Sequence, residues 1–132
     1  MRTFNLSVLL VLLVTQSAPT QAADLNGAWT VDASACRDVF VKENNKLAFK
    51  PDADLHAGGV IVQGKQITGT FQKCTVKSLH DDGANVQVTA SCSDGVAVSD
   101  VTFDAKISGE NKLTLSSKAP VPVEMQYIHC PL

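Results

Sequence analysis

Aromatic residues are scarce in this 132-residue chain, at 5%, with one Trp and one Tyr. Charge is sparse too, at 18%, and the formal net charge is −2. With 45% hydrophobic residues, this is not the composition of a disordered acidic tail. After Arg2 there is a single Arg, Arg37, and the nine Lys form no stripe and do not interleave with aromatics. That excludes a polybasic nucleic-acid surface. No Gly-rich phosphate loop, no G-x-S-x-G and no C-x-x-C occurs. Those absences argue against a phosphate cradle, a nucleophile elbow and a site with closely paired zinc ligands. The three His are dispersed at 56, 80 and 129, none of them two or four residues from another. His80 precedes Asp81-Asp82, which reads as a solvated hairpin tip rather than a metal site. None of the ten Asp and three Glu sits in an apolar setting that would raise its pKa. The chain is therefore expected to be non-catalytic, with neither cofactor nor metal.

What is present begins with a leader. Arg2 gives a positive start, an apolar run follows from Val8 to Val14, and a small, polar stretch leads to Ala22-Ala23. This is the layout of a cleaved signal peptide. The apolar run is shorter than the roughly 20 residues that a bilayer span needs. Cleavage after Ala22 is expected, leaving residues 23–132 as one domain. No long apolar run follows, so no stable membrane span is expected.

Strand signals dominate that domain. Asp24 to Val31 reads as a first strand. Asp32 is placed to cap a short helix from Ala33 to about Phe40, its carboxylate accepting from N–H groups of the first turn; a strand from Val39 to Lys42 is equally allowed. Glu43-Asn44-Asn45 reads as a turn before a short strand, Lys46 to Lys50. Val60–Gln63 turns at Gly64-Lys65 into a long strand from Gln66 toward Leu79. Its apolar parity changes near Lys73, which suggests a bulge. Val86, Val88, Ala90 and Cys92 then alternate with polar residues, as do Val101, Phe103, Ala105 and Ile107. Lys112–Leu115 and Val123 to about His129 complete the set. About eight strands at this spacing predict an all-β, antiparallel meander barrel with one short N-terminal helix; a two-sheet sandwich is the alternative.

Four Cys, at 36, 74, 92 and 130, all follow the leader. An even count in a small exported chain reads as two disulfides. A hairpin centred on Gly83 sets Cys74 opposite Cys92, Val76 opposite Ala90 and Ser78 opposite Val88. That register predicts a Cys74–Cys92 bond and leaves Cys36 to join the helix to the last strand at Cys130. Such a bond spans most of the domain, as barrel closure would. Cys130 has the parity of Ile128, not of Met125 and Tyr127, so the face it occupies is left open.

Two features suit binding. The apolar, pre-extended loop Ala119-Pro120-Val121-Pro122-Val123 can dock with little loss of entropy. An eight-stranded barrel can also hold one small ligand, and so few aromatics leave room for one. Pro120, Val121, Pro122 and Tyr127 are the candidate binding residues.

At Gly27-Ala28-Trp29 the chain resembles the G-x-W start of lipocalin-like barrels, where the Trp plugs one end. Leu25–Asp32, Ser34-Ala35-Cys36 and Tyr127-Ile128-His129-Cys130-Pro131 extend the resemblance to small exported bacterial lipocalin-like proteins, which implies no particular activity. In size and first strand it is distantly similar to Inh-type protease inhibitors, which usually carry one disulfide rather than four Cys. Periplasmic inhibitors of c-type lysozyme carry S-G-x-x-Y. Here Ser108-Gly109-Glu110-Asn111-Lys112 ends in Lys112, so no inhibitory residue carries over.

The expected function is that of a periplasmic or secreted binding protein, an inhibitor or interaction module for another envelope protein. The alternative is a carrier of a small apolar ligand inside the barrel. A continuous apolar cavity above roughly 300 Å³ favours the carrier. A filled barrel with an apolar patch near Pro120–Val123 favours the protein binder.

Overall fold

The structure, a computed structural model, describes residues 24–83, 85–109, 111–118 and 121–132. The expected leader, residues 1–22, and Pro120 lie outside the described residues. Among the described residues ten strands form: β1 Gly27–Thr30, β2 Phe40–Glu43, β3 Lys46–Phe49, β4 Gly59–Gln63, β5 Gln66–Gly69, β6 Lys73–Asp82, β7 Asn85–Ser93, β8 Val98–Ser108, β9 Lys112–Ser117 and β10 Val123–Cys130. A 3₁₀ turn, Ala33–Ala35, runs into one helical turn, α1, Cys36–Val39.

Eight of these strands close a barrel in the order β1-β10-β9-β8-β7-β6-β5-β4. Every pairing in it is antiparallel. From β4 to β10 the chain is a plain meander. β1 then closes the wall by pairing with both β4 and β10.

The number of barrel strands is as expected, but the membership differs. Lys46–Phe49 is not in the wall. It pairs with β2 in a separate hairpin, turned by Asn44 and Asn45, both at positive φ (49° and 62°). Asn tolerates that conformation and suits the tight hairpin turn that needs it. The expected long strand from Gln66 to Leu79 is two strands. Gly69 and Gln72 bracket a turn, closed by the Gly69 N–H donating to the Gln72 carbonyl at 2.7 Å. The parity change near Lys73 thus marks a reversal of the chain, not a bulge. A bulge does occur further on, between Val76 and Ser78. It keeps Cys74 opposite Cys92 and Val76 opposite Ala90, but sets Ser78 opposite Thr89 and Leu79 opposite Val88.

Both disulfides form, Cys36–Cys130 and Cys74–Cys92. They occupy different cores. Inside the barrel, Trp29, Val62, Val86, Val88, Ala90, Leu113 and Tyr127 pack with Cys74 and Cys92. Outside it, Ala35, Cys36, Val39 and Phe40 pack over Ala28, Ile61 and Cys130. Cys130 therefore faces outward, which resolves its parity. The Cys36–Cys130 bond does not close the barrel; it fastens the helical cap to the outer wall. Asp32 caps as expected, accepting from the Ser34 N–H at 2.9 Å and the Ser34 hydroxyl at 2.7 Å. Those two hydrogen bonds, side chain first, hold its carboxyl below the usual range. The helical segment covers Ala33 to Val39 as expected, and Phe40 opens β2 while its ring stays in the cluster with Cys36.

Covering β1 and β4 on both faces explains why neither alternates cleanly. It also fixes Gly59. A Cβ there would overlap the Trp29 carbonyl and come within 2.6 Å of Phe40 Cζ. Gly59→Ala is expected to cost about 1–3 kcal/mol through overpacking, read as a lower urea midpoint at unchanged slope. An unchanged midpoint would mean that Phe40 does not seat on this wall.

Candidate functional site

The two ends of the barrel differ. At the end where β1 starts, Trp29 turns inward and its indole N–H donates to the Leu25 carbonyl at 3.0 Å. The His129 ring lies edge-on to it, centroids 4.9 Å apart and planes at 71°. Gly27, at φ 134°, makes room for that imidazole, because a Cβ would sit 2.6 Å from His129 Nε2. The G-x-W stretch is therefore a plug made with a third partner, His129, from the last strand. Val86, Val88, Ala105 and Leu113 fill the remaining space beside it.

The opposite half is hollow. A cavity of about 480 Å³ opens between the β5–β6, β7–β8 and β9–β10 connections. Its wall is Val60, Ile67, Val101, Phe103, Leu115, Tyr127 and the Cys74–Cys92 disulfide. Val121, Val123 and Met125 line it near the mouth, with Gln72 and Ser117. None of the described lining residues is charged. Beyond the mouth the rim is apolar and exposed: Phe71 at 78%, Val96 at 96% and Val98 at 72%. The rim loops are locally braced. Asp94 accepts from the N–H groups of Val96 and Ala97, both at 2.9 Å, and those bonds, Ala97 first, hold its carboxyl below the usual range.

Of the expected site residues, Val121 and Tyr127 meet in this cavity, and Cys74 and Cys92 join them. Pro122 is exposed in the adjoining loop. Gly27 and Trp29 belong to the plugged end. Phe71 and Met125 carry no sequence signal of their own, since each reads as an ordinary strand residue. A second hollow, also about 480 Å³, lies between the β2–β3 hairpin and the end of β10, edged by Lys42, Asn45, Gln63 and His129. Its walls mix polar and apolar groups. Among the described residues no group of three or more His, Cys, Asp or Glu is placed to hold a metal, and no helix is long and apolar enough to cross a membrane.

Burial raises the Tyr127 pKa above its ordinary 10.0. Because it is the chain's one Tyr, absorbance at 295 nm reports it alone. The native protein should titrate with a midpoint above 10.0, returning to the ordinary value in denaturant. The sign follows: this group's contribution to stability is complete below 10.0 and is lost as pH rises through the higher native midpoint. A native midpoint at or below 10.0 would place the phenol in water.

No protein family, curated protein or solved structure matches this chain. What stands is the architecture, a closed eight-stranded antiparallel barrel; nothing supports the expected similarity to Inh-type protease inhibitors. Two disulfides are typical of extracytoplasmic proteins.

Proposed function

We propose that this chain is a non-catalytic binding protein of the periplasm or the secreted fraction, and that its barrel holds one small apolar molecule. The cavity carries the reading. At about 480 Å³ it lies within the range of ligand pockets, and its described lining is uncharged and mostly apolar. The rest of the molecule suits a container: one end is plugged, the wall is a continuous ladder, and a disulfide spans two wall strands beside the cavity.

A second reading rests on the rim. Phe71, Val96, Val98 and Val121 are exposed around one end of a rigid scaffold. Such a patch suits docking on another envelope protein, with inhibition by occlusion as one consequence. The same experiment separates the two. The protein is purified gently from its own envelope and weighed by native mass spectrometry. A stoichiometric small-molecule adduct, lost on extraction with organic solvent, is the expected result. A co-purifying protein without an adduct would favour the rim instead.

A further inference from the structure

Tyr127 is 8% exposed, and its ring forms part of the cavity wall. Its hydroxyl lies 3.5 Å from Met125 Sδ, which is its one hydrogen-bond contact among the described residues. A thioether sulfur is a weak acceptor. Buried hydroxyls ordinarily find an oxygen or nitrogen partner, so this donor has most of its capacity unused. Of the wall side chains, those of Leu115 and Val101 and the disulfide sulfurs offer no strong acceptor. Gln72, in the turn between β5 and β6, and Ser117, at the end of β9, lie at the mouth. Met125 is 44% exposed and unbranched, so it can swing aside as a ligand enters.

We infer that the Tyr127 hydroxyl is the hydrogen-bond anchor of the cavity, and that the ligand is an uncharged apolar molecule with one acceptor oxygen, of the ketone or ester class. The inference rests on the ligand-binding reading above. Charge is excluded by cost: a carboxylate or ammonium buried against this wall would meet no counter-ion. A neutral carbonyl loses its water on entry and recovers a hydrogen bond from the phenol. That phenol remains protonated, and so remains a donor, throughout the neutral range.

The test uses two probes of one skeleton, 2-acetylnaphthalene and 2-ethylnaphthalene, which differ by a carbonyl. Their dissociation constants are measured by equilibrium dialysis against the exported protein and its Tyr127→Phe and Met125→Leu variants. Tyr127→Phe should weaken the acetyl probe about 3- to 10-fold and leave the ethyl probe within about 2-fold. Retained binding of the ethyl probe shows that the variant's cavity is intact. Met125→Leu alters the lining for both probes, and should leave the acetyl-to-ethyl affinity ratio at or above that of the unaltered protein. The inference is overturned if Tyr127→Phe shifts both probes alike or neither, or if Met125→Leu lowers that ratio as much as Tyr127→Phe does. If neither probe binds the unaltered protein, the ligand-binding reading fails and takes the inference with it. If both bind without discrimination by Tyr127, only the inference fails.

Discussion

Replacing Trp29 by alanine is expected to remove about 3–5 kcal/mol of stability, at the upper end for a core substitution. The side chain is 2% exposed and fills the plugged end of the barrel. Its loss would strand the Leu25 carbonyl and take the packing partner from the His129 ring. Collapse into the void is resisted, because β1 is held by ladders on both sides. At about 4–8 °C per kcal/mol, the melting temperature should fall by roughly 12–40 °C. The hollow half should also deepen toward the other end, so a larger apolar probe should gain affinity relative to a small one. A loss below about 1 kcal/mol would mean that the plug is not packed.

The second large effect concerns Cys36 and Cys130. Their bond joins residues 94 apart. In the chain-entropy account a loop of that size contributes about 4–5 kcal/mol, against about 3 for the 18-residue separation of Cys74 and Cys92. Replacing both Cys36 and Cys130 by alanine should therefore cost more than the same change at Cys74 and Cys92. The two losses should also differ in kind. The cap and the β2–β3 hairpin are outside the barrel ladder. Without Cys36–Cys130 they are free to lift from Ala28 and Ile61 while the wall stays paired. Hydrogen exchange should then accelerate across residues 33–49 and much less in β7 and β8. Uniform acceleration throughout would show that cap and barrel unfold as one unit.

The barrel was legible because seven of its eight strands form a plain meander and most carry a period-two pattern between turn residues. The Cys74–Cys92 bond was legible for a related reason, since hairpin position, alternation and cysteine spacing all agreed. What escaped had physical causes. A four-residue strand such as Lys46–Phe49 carries no mark of the sheet it joins, so it was counted into the wall. Phe71 made the turn between β5 and β6 look like continuing strand, because an apolar residue in a strand-like run implies burial; it is in fact 78% exposed. Gly58, at φ 63°, turns the chain just before β4. Gly59 serves to seat Phe40, a contact between segments that no local pattern encodes. His129 as the third member of the plug was hidden likewise. Composition hinted at a hollow interior through the shortage of aromatics, but not at which half. That depends on Trp29 turning into one end with the His129 ring against it, a placement between distant segments that no local pattern encodes.

On the proposed function, an apolar molecule enters the open half of the barrel. The most direct measurement is a ¹³C-methyl NMR titration of the protein with 2-ethylnaphthalene. The account predicts saturable shifts at Val60, Ile67, Val101, Leu115 and Val121, which line the cavity, with Val86, Val88 and Leu113 of the plugged half little changed. No shifts up to the probe's solubility limit, or shifts confined to Val96 and Val98 on the outer rim, would contradict it.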